Sequence, residues 1–256
     1  PQAGLTCFTQ SGGNPFLQPY QSTSFDLAFE RYFDTTTALS LALFHKELSD
    51  WVIDRSVLVD GTQSIQAGGL GAFLTANPEV APILLSGPVN FADGSITGFE
   101  ATLRMNLDKY LPPALEGFGF SASYTYADNG LKNAAGQEIP IPGYSDTVWS
   151  GDVYYENHGW RTRVSARHRS DFLSEVQNFD GSLSGAQALE ETIVDLQVGY
   201  EWDEGPLEGF GVNFEIFNLT DEPFATENVT ANPAVTFPSR HEQYGTTYNI
   251  TVSKSF

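Results

Sequence analysis

Nine stretches of this chain alternate apolar with polar or small side chains at a period of two, and none repeats at the helical period over a useful length. They fall at 22–33, 38–51, 94–107, 117–127, 145–156, 159–169, 191–202, 209–218 and 244–256. In the seventh, Val194, Leu196, Val198, Tyr200 and Trp202 share one face, and Asp195, Gln197, Gly199 and Glu201 the other. The third sets Phe99, Ala101, Leu103, Met105 and Leu107 against Glu100, Thr102, Arg104 and Asn106. The fourth sets Phe118, Phe120, Ala122, Tyr124 and Tyr126 against Gly119, Ser121, Ser123, Thr125 and Ala127. Such a chain must build a sheet with one oily face and one wet face.

A soluble β-sandwich shows the same alternation strand by strand. The connections separate the two solutions. They are short at 34–37, 108–116, 157–158 and 203–208 and long at 52–93, 128–144, 170–190 and 219–243, in strict alternation. Short turns at one end and long loops at the other are the signature of an antiparallel up-and-down transmembrane β-barrel, whereas a Greek-key sandwich has no reason to sort its loops. Trp149, Tyr155, Trp160, Tyr200 and Trp202 sit near strand ends, where amphipathic rings anchor at headgroup level. The 52–93 connection carries Leu70, Phe73, Leu74, Ile83, Leu84 and Leu85, and is expected to pack on itself or on a neighbour. Nine is an odd strand count, and bacterial single-chain barrels close with even ones. The chain, which starts Pro1-Gln2-Ala3-Gly4, therefore reads as about nine C-terminal strands of a larger barrel, over 1–256.

Composition excludes several functions. With 32 acidic against 12 basic residues, a net charge of −20 leaves no electrostatic footprint for nucleic acid. Cys7 is the single cysteine, which excludes an internal disulfide or a Cys-based zinc site and leaves any partner thiol outside the chain. No run of apolar residues is long enough for a transmembrane helix.

Catalytic patterns are missing: there is no His-Glu-x-x-His, no Gly-x-Ser-x-Gly, no phosphate-cradling glycine loop and no EF-hand loop. His45, His158, His168 and His241 are scattered without ligand spacing, so no metal, cofactor or enzymatic activity is expected. The Asn-x-Thr triplets at Asn218, Asn228 and Asn249 read as coincidence, two of them lying in or beside strands.

The densest charge feature is Arg161, Arg163, Arg167 and Arg169, four cations on one face of one strand. Cations face lipid only at high cost, so the ladder is expected in the barrel lumen, paired with Asp152 and Glu156 or Asp195 and Glu201 on the flanking strands. It reads chiefly as a charge network that docks an internal plug, with Arg167 and Arg169 nearer the long-loop end as ligand candidates. Trp51, Asp54, Asp171, Arg240 and His241 are the other ligand candidates, all at the long-loop end.

Three stretches together resemble the C-terminal half of TonB-dependent receptors. Gly13-Asn14-Pro15-Phe16-Leu17-Gln18-Pro19-Tyr20, followed by Ser22 and Phe25-Asp26-Leu27, is similar to the family's GNPxLxPE segment. Tyr20 replaces the usual Glu, as in the Caulobacter- and Xanthomonas-type branch. Phe217-Asn218-Leu219-Thr220-Asp221-Glu222 resembles the NLTD motif at the penultimate strand. Tyr248, Ile250, Val252 and Phe256 resemble the terminal barrel-assembly signal, with Lys254 where an apolar residue is more usual.

The resemblance implies a barrel of about 22 strands around an N-terminal plug. It implies a Gram-negative outer-membrane receptor that takes up a scarce small extracellular ligand, an oligosaccharide or next a ferric siderophore. Its expected partners are the TonB complex, acting through a TonB box, the barrel-assembly machinery, its own plug domain and outer-membrane lipid. A secreted acidic β-sandwich that binds carbohydrate is the alternative, and it requires the apolar face to be buried between two sheets.

Overall fold

The computed structural model describes residues 8–59, 83–133, 138–179, 182–229 and 236–255. Cys7, Phe256, Leu70, Phe73 and Leu74 lie outside the described residues. The described residues form fifteen strands: β1 (Phe8–Ser11), β2 (Gln21–Tyr32), β3 (Ala38–Val59), β4 (Ile83–Asn106), β5 (Phe118–Asn133), β6 (Glu138–Ile139), β7 (Thr147–Asn157), β8 (Trp160–Arg169), β9 (Phe172–Phe179), β10 (Ser182–Ala188), β11 (Glu191–Glu201), β12 (Phe210–Phe217), β13 (Phe224–Val229), β14 (Thr236–Glu242) and β15 (Thr247–Lys254). No helix among the described residues is long and apolar enough to cross a membrane.

Nine strands form one antiparallel meander in the order β2-β3-β4-β5-β7-β8-β11-β12-β15, each paired with its neighbour in the chain path. Each of the nine overlaps one of the alternating segments. Register keeps the faces separate: opposite Leu43 stand Leu27 and Phe99, and opposite Leu196 stand Val164 and Ile216. The outer face is uncovered, with Phe25 71%, Leu43 58% and Ile250 68% exposed, so no second sheet buries it. A band of this kind belongs against hydrocarbon. The sandwich alternative fails on this point.

At the short-turn end the outer face carries paired rings, Phe118 with Tyr155 at 4.8 Å and Trp160 with Tyr200 at 4.9 Å between centroids. Trp202 meets Tyr200 edge-on at 4.9 Å. Trp149 stands toward the opposite end, stacked on His168 at 5.3 Å. His158 and Gly159 turn β7 into β8 with φ of 50° and 79°, the two positive values that a tight hairpin matched to strand twist requires.

All four long connections contain strand where loop is expected. β3 and β4 run on past the sheet as one extended hairpin, so residues 53–59 and 83–93 are strand rather than a self-packed loop. β5 continues to Asn133. The connections after β8 and β12 are themselves hairpins, β9–β10 and β13–β14, and they join through β10 and β13 into a second four-stranded sheet. These segments carry no clean period-two signal in the sequence, and where they pack they bury single positions such as Ala188 of β10 and Thr226 of β13, not a continuous face.

A cluster of buried apolar residues lies on the inner side of the main sheet. Leu48, Ala92, Ile96, Ala127 and Leu131 alternate on β3, β4 and β5, and Ile141 from the 140–146 connection folds down onto them. Phe44, Trp51 and Tyr144 pack around this cluster.

Candidate functional site

The inner wall is polar below that cluster. β8 presents Arg161, Arg163, Arg167 and Arg169 opposite Glu156, Tyr154, Ser150 and Val148 of β7 and Gly199, Gln197, Ile193 and Glu191 of β11. Arg161 pairs with Glu201, and Arg163 reaches Glu156 at 3.9 Å while lying over the Tyr154 ring. Asp152 stands opposite Ser165, and Asp195 accepts the Asn218 amide at 2.9 Å. Half of the carboxylates expected to meet the ladder therefore do so, and Asp195 serves the chain turn above it. Arg167 makes no hydrogen bond or ion pair among the described residues.

Arg169 holds the folded-in connection. Its guanidinium donates to Ser145 Oγ at 2.6 Å and to the Gly143 carbonyl at 2.6 Å, and it stacks over Phe172 at 3.6 Å. Asn129 ties the same connection from β5, donating to Asp146 at 2.7 Å and accepting from the Ile141 amide at 2.9 Å. Burial pushes the Asp146 carboxyl above its ordinary range, with Asp128 and Asp171 adding to the rise. Asp171 accepts a hydrogen bond from Gln187, inside the second sheet's first hairpin.

The GNPFLQPY segment is a clip on the β3–β4 hairpin. Asn14 closes a local turn by accepting from Phe16 at 3.0 Å and donates to the Pro88 carbonyl at 3.2 Å. Asn90 completes the clip: it accepts from the Gln18 amide at 2.8 Å and donates to the Gln18 and Asp50 carbonyls, each at 3.0 Å. Asn90 was not legible as a functional residue, because its partners lie 40 and 72 positions away. The segment ends at Tyr20, whose ring meets Trp51 edge-on at 5.3 Å. Asp54 stands farther along β3 in register with Pro88, and its side chain lies outside the described residues.

The Asn218–Glu222 stretch is a knot over β11 and β12. Asn218 and Asp221 both have φ of 54°, a conformation that Asn and Asp tolerate best among residues with a side chain. The Asn218 side chain accepts the Glu222 amide at 2.8 Å and donates to the Glu222 carbonyl at 3.0 Å. Leu219 donates to the Val194 carbonyl at 2.7 Å. From the knot the chain enters β13, so the motif aims the second sheet. On β14, Arg240 donates to Glu242 at 2.6 Å and lies near the Phe224 ring, while His241 is exposed opposite Ala225. Tyr244 and Arg240 donate to Glu242 and hold its carboxyl below the usual value.

The long-loop rim thus gathers Arg169, Asp171 and the second sheet, with Trp51 and Tyr20 on the inner side of β3. Among the described residues no group of three His, Cys, Asp or Glu side chains could hold a metal ion.

The profile described as TonB dependent receptor-like, beta-barrel matches residues 3–219. The chain belongs to this family. Solved structures agree on the fold. The ferric enterobactin receptor PfeA from Pseudomonas aeruginosa, in complex with enterobactin, is similar at TM-score 0.62 and 15% identity over 98% of this chain. The FrpB iron transporter from Neisseria meningitidis is similar at TM-score 0.54 and 12% identity over 96%. The copper transporter OprC is similar at TM-score 0.56 and 15% identity over 94%. This TonB-dependent receptor barrel chain spans 34%, 32% and 32% of those three chains respectively. No curated protein sequence matches it.

Proposed function

We propose that this chain is the C-terminal portion of the barrel of a Gram-negative outer-membrane receptor. That receptor binds a scarce extracellular ligand and imports it, without covalent chemistry, using energy from the TonB complex. The observation that carries the reading is the two-faced meander: an exposed apolar band outside, a charged wall inside, tight turns at one end and a built second sheet at the other. The short-turn end is periplasmic and the second sheet extracellular, and the absent plug docks against the Arg161–Glu201 and Arg163–Glu156 pairs.

For the ligand, an oligosaccharide is favoured by the Tyr20–Trp51 pair, an aromatic platform at the inner rim built from the residue that marks the Caulobacter- and Xanthomonas-type branch. A ferric siderophore is the second reading, favoured by Arg167, a cation without a bonded carboxylate among the described residues and suited to an anionic ligand. PfeA, described as a ferric enterobactin receptor, and FrpB, described as an iron transporter, speak for the same alternative. Titration calorimetry on the full-length receptor decides between them. Heat on adding oligosaccharides, lost in Trp51→Ala and kept in Arg167→Gln, supports the first. Binding of ferric siderophores alone, lost in Arg167→Gln, establishes the second.

A further inference from the structure

The outer face has a hollow at the short-turn end, of about 470 Å³, lined by Trp160, Val198, Gly199, Tyr200, Trp202 and Val212. Its rim is the stack of three rings already described, and its wall above them is valine and bare glycine backbone. Beside Trp202 in the same row, the Trp202 amide donates to the Phe210 carbonyl, and Phe210 is in register with Lys254. Lys254 is the residue that departs from the apolar terminal pattern. Its ammonium lies 4.4 Å from the Phe210 ring centroid and donates to the Glu208 carbonyl, which leaves two of its three protons free. Below it the turn exposes Asp203, Glu204 and Glu208.

We infer that this hollow, with Lys254, is a binding site for a zwitterionic glycerophospholipid of the periplasmic leaflet. An acyl chain fills the space above the rings, the phosphate takes the free protons of Lys254, and the lipid's own ammonium faces the carboxylates of the 203–208 turn. Charge selects the headgroup. One cation beside three carboxylates repels a lipid that brings only negative charge and accepts one that brings both signs. The site rests on the lipid-facing reading of the outer face and not on the transported ligand.

Native mass spectrometry of the full-length receptor, released from micelles containing equal phosphatidylethanolamine and phosphatidylglycerol, tests it. The wild type is expected to retain phosphatidylethanolamine over phosphatidylglycerol by about fivefold, the scale of one charge-assisted hydrogen bond at a half-wet site. Lys254→Gln, which loses the phosphate contact common to both lipids, lowers retention of both, and replacing the turn carboxylates together (Asp203→Asn, Glu204→Gln, Glu208→Gln) brings the ratio near one. Val198→Trp fills the hollow from a lipid-facing position, and so removes retained lipid while leaving the heat-modifiable gel shift of the folded barrel. Equal retention of the two lipids by the wild type, retention unchanged in Lys254→Gln or Val198→Trp, or a lipid ratio unchanged in the carboxylate variant, overturns the site and leaves the transport reading standing. A wild-type receptor that shows no heat-modifiable barrel overturns the lipid-facing reading and the site together.

Discussion

Asn218 holds a left-handed backbone and a two-way hydrogen bond at once, and the two contributions can be separated by substitution. Asn218→Gly keeps the conformation and loses both bonds, about 1 kcal/mol each in net terms. Asn218→Ala loses them and adds the steric cost of the left-handed region, about 1 kcal/mol more. Thermal loss of the heat-modifiable form of the full-length receptor should therefore come earlier in Asn218→Ala than in Asn218→Gly, and latest in the wild type. Equal midpoints for the two variants would show that the conformation contributes nothing. Arg169 makes the second case at this scale. Its position on the inner face follows from the period of β8, but its partners Gly143 and Ser145 lie 26 and 24 residues back and arrive through a fold of the chain that no periodicity encodes. Arg169→Lys keeps the charge and loses the planar fork and the stack on Phe172. Amide exchange at Ile141 and Gly143 should rise in that variant, while the amides of β8 stay protected.

Among the elements, the 34–37 turn between β2 and β3 is tied by one carboxylate. Asp34 accepts from the Thr36 and Thr37 amides at 2.9 and 2.8 Å and from Lys109 of the next turn at 2.7 Å. The Lys109 ammonium, ahead of the Thr36 amide and hydroxyl, holds the Asp34 carboxyl far below its ordinary 3.8. A depressed carboxyl contributes stability that is present above the unfolded value and lost as pH falls toward the folded one. Exchange at the Thr36 and Thr37 amides, corrected for its intrinsic pH dependence, should thus be flat from pH 7 to about 5, and protection should fall below about pH 4. Asp34→Asn should show weak protection throughout; a pH response surviving in that variant would assign it to another group. The same scale shows what alternation can reveal. The nine barrel strands were legible because one face meets lipid and the other water, as in Val194, Leu196 and Val198 against Asp195 and Gln197. β9, β10, β13 and β14 were not: Ser182–Ala188 and Phe224–Val229 mix polar and apolar residues without sorting them, and the positions they bury, the paired Ala188 and Thr226, are one small and one polar residue that set up no hydrophobic alternation. The extension of β3 was hidden for a different reason. A bulge around Ser49 and Asp50, with Asp50 at φ 58°, breaks the period where the strand leaves the apolar band.

At the scale of the molecule, the two faces of one strand make opposite demands on the same substitution. Leu43 is 58% exposed on the outer face, and Ala42 beside it stands opposite Glu100 on the inner one. Arginine at Leu43 should cost about 2–4 kcal/mol, as for a charge near the bilayer midplane, while arginine at Ala42 gains a carboxylate neighbour and should cost under about 1 kcal/mol. Urea unfolding of the full-length receptor in lipid vesicles measures the difference; equal losses would show that the two faces do not differ, and a larger loss at Ala42 would reverse their assignment. The same sheet sets a limit on independence. β2 and β15 are its end strands, and each leaves one edge of ladder groups without a partner among the described residues. In hydrocarbon each such group costs several kcal/mol, so the nine strands satisfy their backbone only within a closed barrel. Expressed alone and refolded into detergent, the 28.0 kDa chain should give neither a monodisperse monomer nor a heat-modifiable band. Mixed with the remaining strands of the barrel as a second polypeptide, it should recover both. A heat-modifiable monomer of the chain by itself would mean that β2 and β15 find each other, and that the sheet closes at nine strands.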